Sequence, residues 1–149
     1  MTPQQIKLVQ DSWELVVPIA KDATSMFYNR LFELDPSLKA LFKGDIEEQG
    51  KKLATILTTV VRGLSNFEKL ESAVWQLGRR HVAYGVEFSQ YNTVASALLW
   101  TLEQGLGDKF TPSVKDAWVA AYTALAGLMQ QGASCPYANF WVWKQEMAV

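Results

Sequence analysis

The chain has 149 residues, 49% of them hydrophobic, 12% aromatic and 19% charged, which is ordinary globular material rather than a disordered segment and is one domain's worth of chain rather than two catalytic ones. Fourteen basic against fifteen acidic side chains leave a formal charge of −1, too weak a field to gather a nucleic-acid backbone or an anionic membrane surface, so neither is expected as a partner. The one cysteine, Cys135, forms no internal disulfide, and no basic stretch followed by an apolar run opens the chain; a cytoplasmic location is expected.

Three prolines sit just after a capping residue, where a helix tolerates them. Thr2-Pro3, with Gln5 at capping-box spacing, opens a helix expected over 3–17. A second is expected from about 20 to 34, and Asp35-Pro36 opens a short one at 36–41. Longer helices follow near 46–63, 67–83 and 89–105, and Thr111-Pro112 opens the last at 112–131. Leu53, Ile56, Leu57, Val60 and Leu64 recur at helical spacing, as do Trp118, Tyr122, Leu125 and Met129. The β-branched stretch Thr55–Val61 has the propensity of a strand but neither period-two alternation nor a hairpin turn pair, and it reads as helix. Gly44, Gly63, Gly85, Gly107 and Gly132 lie near the expected ends, as left-handed caps would.

Ala117 to Trp143 carries no charge, yet its apolar part stops near Met129 and gives way to Gln130, Gln131, Gly132, Ser134, Pro136 and Asn139, short of the ~20 apolar residues a membrane span needs. The expected organisation is a helical domain over 1–133 and an aromatic tail over 134–149 with Tyr137, Phe140, Trp141 and Trp143. Left free, those rings would expose an apolar patch, so they fold back on the body, the preferred reading, or meet a second copy; the chain is then a monomer or a homodimer.

The chemistry is narrowed by a single histidine, His81. One His and one Cys make a poor tetrahedral zinc set. No Gly-x-Ser-x-Gly elbow is present, and Phe110 stands where a dinucleotide fingerprint begun at Gly105 and Gly107 needs its third glycine. Glu47-Glu48 falls on different helix faces and reads as solvated. Taken alone, a lone histidine is more often a packing residue than a ligand, and Phe42, Leu53 and Val86 read as core, Tyr28 as core or functional, and Lys52 and Arg80 as solvated.

In order, however, the chain carries Phe27-Tyr28-Asn29-Arg30-Leu31-Phe32, Asp35-Pro36, Leu41-Phe42, Gln49, Leu53, Leu77-Gly78-Arg79-Arg80-His81, Gly85-Val86 and Tyr91. This series resembles the globin family over about residues 3–131, and more narrowly the bacterial single-domain globins related to the haem domains of flavohaemoglobins. The resemblance implies an all-α, globin-like fold of about seven helices around a pocket for one b-type haem. It implies His81 as the axial ligand, since a haem iron takes one neutral nitrogen donor, and no second histidine exists to close the other face. There, Tyr28 and Gln49 would donate hydrogen bonds to a bound diatomic, oxygen, CO or NO. Phe42 would stack on the porphyrin, Leu53 would limit the space over the iron, Lys52 and Arg80 would meet the propionates, and Val86 and Tyr91 would line the proximal side.

The implied function is reversible oxygen binding, storage or transport, with no catalytic residue assigned. One alternative is nitric oxide dioxygenation, whose turnover oxidises the iron and so needs an external reductase; another is gas sensing. The sequence departs from the flavohaemoglobin pattern where a glutamate of the last helix joins the proximal histidine and tyrosine: after Asp116 no carboxylate occurs until Glu146. His81 is therefore expected to be a more neutral donor, hydrogen-bonded to a backbone carbonyl, which favours oxygen binding over peroxide chemistry.

Overall fold

The computed structural model describes residues 1–42, 44–83, 88–134 and 140–147. Among these are seven α-helices and no strand: α1 (Pro3–Val16), α2 (Ala20–Leu34), α3 (Ile46–Arg62), α4 (Phe67–Ala83), α5 (Phe88–Leu106), α6 (Pro112–Ser134) and α7 (Phe140–Met147). Short 3-10 turns occupy Val17–Ile19, Pro36–Leu41, Leu64–Asn66 and Gly107–Lys109. The segment at 36–41 is thus a 3-10 turn rather than an α-helix, short enough for that tighter geometry.

The helix starts follow from local chemistry. Thr2 Oγ1 accepts from the Gln5 backbone N–H at 3.1 Å while Gln5 Oε1 accepts from Thr2 N at 3.0 Å, a complete capping box. Asp35 Oδ1 takes the Ser37 N–H at 3.1 Å, and Thr111 Oγ1 takes that of Val114 at 3.2 Å. Asp45 caps α3 in the same way, accepting from Glu47 N at 2.9 Å. The β-branched run Thr55–Val61 lies inside α3, because its apolar members share a helix face that tertiary burial rewards more than strand propensity does.

The glycines play a different part from the one expected. Among the described residues only Gly107 has positive φ, +56°; Gly63 ends α3 in right-handed geometry, and Gly132 lies inside α6, two residues before its end. Gly85 falls outside the described residues. What Gly132 does is admit a neighbour: a Cβ on it would stand 2.1 Å from the carbonyl oxygen of Trp75 in α4. Reciprocally, a Cβ on Gly78 of α4 would stand 1.9 Å from the carbonyl oxygen of Met129 in α6. These two helices therefore cross backbone against backbone. A second crossing joins α2 to α3, where a Cβ on Gly50 would meet Thr24 Oγ1 at 2.8 Å.

Around these crossings the core forms three groups. The largest joins Val9, Trp13 and Val16 of α1 to Leu102 of α5 and to Ala117, Trp118 and Ala121 of α6. Trp13 and Trp118 meet edge to face at 6.1 Å, and their indole N–H groups donate to Thr58 Oγ1 at 3.0 Å and Ser12 Oγ at 2.8 Å, so neither donor is buried unpaired. The second contains Phe27, Tyr28 and Leu31 with Leu38 and Ala97. The third sets Val74 and Trp75 of α4 against Leu128 of α6 and Phe140 of α7. The tail residue Phe140 is 1% exposed while its neighbour Trp141 is 67% exposed, so one ring of the aromatic tail packs on the body and the next faces outward. Cys135 and Tyr137 lie outside the described residues, as does the Trp143 side chain. No described helix is long and apolar enough to cross a membrane.

Candidate functional site

A cavity of about 220 Å³ opens between α1, α2, α3, α4, α5 and α6. Its wall is almost wholly apolar, with Val74, Leu77 and His81 presented by successive turns of α4, Leu53 and Leu57 by α3, Val94 and Leu98 by α5, and Leu125 and Met129 by α6. The polar side chains on this wall largely spend their hydrogens inside the protein. Thr24 Oγ1 donates to the Lys21 carbonyl at 3.1 Å, Thr101 Oγ1 to that of Ala97 at 2.8 Å, and Tyr122 Oη to that of Tyr91 at 2.5 Å.

His81 is the group that gives this wall chemistry. Its Nδ1 lies 2.8 Å from the Leu77 carbonyl oxygen, one turn back along α4. A carbonyl can only accept, so Nδ1 carries the proton and the neutral ring's lone pair is on Nε2. Burial first, and the nearby Arg80 charge, hold the imidazole below its ordinary value, with the Leu77 bond working the other way; the ring is neutral at pH 7. Tyr91, 8% exposed and likewise on the cavity wall, has its hydroxyl pushed up by burial. Tyr122 is raised by burial and by its proximity to Tyr91.

The remaining sequence candidates divide. Leu53 reaches the cavity wall and also packs in the Tyr28 group, so it joins the two regions, as do Phe27, Val94 and Leu98. Tyr28 and Phe42 stand beyond them, outside the cavity lining, in an aromatic cluster: their rings meet edge to face at 5.3 Å, and Phe32 packs on both, at 6.0 Å from Tyr28 and 5.6 Å from Phe42. Tyr28 is 4% exposed, and burial pushes its hydroxyl up to about 12, so it remains a protonated donor at any physiological pH. Gln49 is half-buried on α3, next to the Gly50 crossing. Thr24 and Tyr28 are one turn apart on α2, so the Thr24–Gly50 approach brings the face of α2 that carries Tyr28 against α3. Lys52 and Arg80 are exposed. Val86 lies outside the described residues. Glu47 and Glu48 are exposed and paired with Lys21 and Lys51 at 3.1 and 3.2 Å.

Sequence reasoning missed the deep part of the wall, Val9, Trp13 and Val16 with Trp118 and Ala121, and the hydroxyl bond of Tyr122. The helical repeat of Trp118, Tyr122, Leu125 and Met129 was the available signal, and it marks the face of α6 that lines the cavity. The chemistry of this wall suits a flat apolar group carrying one metal atom: a single neutral imidazole, its second nitrogen tied to backbone, on a hydrocarbon surface. Among the described residues no cluster of three or more His, Cys, Asp or Glu could hold a bare ion.

An all-helical chain folded about an apolar cavity with one such imidazole has the build of a haem protein. Residues 25–129 match the family model for globins, and the chain belongs to the globin family; as a globin it binds haem and, through it, gaseous ligands such as oxygen. It is 31% identical to a neuroglobin of Danio rerio over 139 residues, covering 84% of this chain and 87% of that one. A flavohemoprotein of Xylella fastidiosa is 33% identical over 132 residues, and this chain spans only 33% of its length. Among solved structures, an engineered carbene transferase made from a candidate nitric oxide dioxygenase of Rhodothermus marinus superposes with a TM-score of 0.81 at 25% identity, over 99% of both chains.

Proposed function

We propose that this protein holds a b-type haem through His81 and that its task is reversible oxygen binding in the cytoplasm. The observation that carries the reading is the neutral His81 ring on the cavity wall, with Nδ1 donating to Leu77 O at 2.8 Å. That bond orients the ring and presents Nε2 as the ligating atom, and a carbonyl acceptor leaves the imidazole less electron-rich than a carboxylate partner would. Haem, when bound, supplies an iron that takes up diatomic gases reversibly.

The chain's own residues then tune retention. Tyr28 keeps its proton up to about 12; its cluster adjoins the cavity through Phe27, Leu53 and Leu98, and Tyr28, with Gln49 as the second donor, would donate a hydrogen bond toward a gas bound on that side. A hydrogen bond contributes about 1 kcal/mol net, or about 2 to a charged acceptor, so the pair slows oxygen release by roughly tenfold to a thousandfold. Leu53 would limit the space on that face, Phe42 would pack on the porphyrin from the Tyr28 cluster, and Tyr91 would line the histidine side, the role the globin resemblance also gives Val86. Lys52 and Arg80, both exposed and without an ion pair among the described residues, suit the propionates at the rim.

The test is the absorption spectrum of the ferric, ferrous, CO-bound and oxygen-bound protein beside that of His81→Ala. A high-spin ferrous form that takes up oxygen, and whose axial nitrogen bond disappears in the variant, is expected. A variant that keeps the parent's ferrous spectrum overturns the assignment. The likeness to flavohemoproteins over a third of their length favours one second reading, nitric oxide dioxygenation served by a separate reductase. Nitrate formation over many turnovers on adding NO, oxygen and a flavin reductase together with its nicotinamide electron donor would distinguish it.

A further inference from the structure

His81 is held on the cavity wall by α4, and α4 is gripped from both sides. On its inner side, Gly78 and Gly132 bring the α4 and α6 backbones together. A Cβ at either would stand 1.9 or 2.1 Å from a carbonyl oxygen of the other helix, so no other side chain fits at this spacing. Gly78 and His81 are three residues apart and share a face, which makes the crossing the local reference for the ring.

On its outer side α4 carries α7. Trp75, fully buried, takes the Phe140 ring edge to face at 6.0 Å. The Arg79 guanidinium lies over the Trp75 ring at 5.3 Å and donates to the Gly132 carbonyl at 3.4 Å. One turn of α7 further, Lys144 Nζ meets Glu71 of α4 at 3.1 Å and sits 5.6 Å over the Phe140 ring. Trp75 is thus the shared piece: its carbonyl abuts Gly132, while its ring is covered by Phe140 and Arg79.

We propose that α7 is a positioning element for the site: Phe140, seated on Trp75, presses α4 onto the α6 glycine crossing and so fixes where His81 stands. The proposal rests on the reading of His81 as the haem ligand. It assigns the aromatic tail a task that reaches the metal without touching it. Phe140 is a positioning residue, acting through Trp75 and the α4 backbone.

The test uses the full chain loaded with haem, in the parent and in Phe140→Ala, Phe140→Leu and His81→Ala. Two quantities are read: the iron–histidine stretch of the ferrous protein by resonance Raman, and the rate of haem transfer to an excess of a haem-scavenging apoprotein. Removing a group that orients a ligating side chain commonly costs about tenfold to a hundredfold in metal affinity, so Phe140→Ala is expected to speed haem transfer by about tenfold and to shift or broaden the stretch. Phe140→Leu, which still fills part of the seat, moves both in the same direction by less. Thermal unfolding of the haem-free chain records separately how far each variant is destabilised. Unchanged stretch and transfer rate in a Phe140→Ala chain whose melting temperature has fallen overturn the proposal, because α7 then stabilises without positioning. Where Phe140→Ala does not fold, Phe140→Leu decides, and an unchanged stretch there is equally fatal. If His81→Ala keeps the parent's stretch, the axial-ligand reading itself fails; if His81→Ala abolishes it while both Phe140 variants retain it, only the positioning claim falls.

Discussion

Two helix crossings frame the candidate site, and they are built with different tolerance. Where α4 meets α6, a Cβ on Gly78 or Gly132 would strike a backbone carbonyl at 1.9 or 2.1 Å; where α2 meets α3, a Cβ on Gly50 would strike the Thr24 hydroxyl at 2.8 Å. A carbonyl inside a helix cannot turn aside, whereas a threonine side chain can change rotamer at modest cost. The His81 side is therefore fixed by main chain and the Tyr28 side by side chains. A site divided in this way keeps one half constant and leaves the other open to adjustment.

The sharpest way to break the comparison is Gly78→Ala. Separating two helices packed at main-chain distance costs about 3 kcal/mol or more, more than the ~1 kcal/mol that alanine's helix propensity returns. A chemical denaturation midpoint near the parent's would mean that α4 and α6 yield more easily than their spacing implies. Next in size is Tyr28→Phe, which removes one donor and is expected to speed oxygen release by about tenfold, worth about 1.4 kcal/mol, with little loss of stability. Stopped-flow release at the parent's rate would remove Tyr28 from the site.

Gly50→Ala should come smaller still, within about 1 kcal/mol of the parent, because the gain in helix propensity offsets the displacement of Thr24. A loss as large as that of Gly78→Ala would erase the distinction between the crossings. A further effect concerns pH. Burial lifts the Tyr28 hydroxyl to about 12, above the unfolded value near 10, so the folded chain holds this proton where the unfolded chain has released it. Stability from this source is untouched below pH 10 and falls as pH rises from 10 toward 12. Denaturation at pH 8 and pH 11 should show a larger alkaline loss in the parent than in Tyr28→Phe, and equal losses would mean that the hydroxyl is not desolvated.

How far the sequence could be read depends on how local each cause is. Thr2, Asp35 and Thr111 announced their helices because a cap acts within three residues. Gly132, by contrast, looked like a terminus and is a crossing, since its partner Trp75 lies far away in sequence and no local rule points to it. The His81 bond to a backbone carbonyl was legible from the lack of a late carboxylate, and its acceptor is one turn away on the same helix. Tyr28 and Phe42 were expected in one pocket with His81. They do meet each other, but Phe27, Leu53 and Leu98 stand between their cluster and the cavity, an arrangement that only the packing of α2, α3 and α5 decides. That α7 forms at all depends on Phe140 finding Trp75, because eight residues are too few for a helix to hold by propensity alone.

The indole of Trp118 donates to Ser12, 106 residues earlier in the chain. During synthesis α1 precedes α6, so the face of Val9, Trp13 and Val16 can meet Val61 of α3, Leu102 of α5 and Leu64 before Ala117, Trp118 and Ala121 close over it. That cover stays incomplete until α6 emerges, and long-range closure of this kind slows folding and lengthens the time in which such surfaces can meet one another.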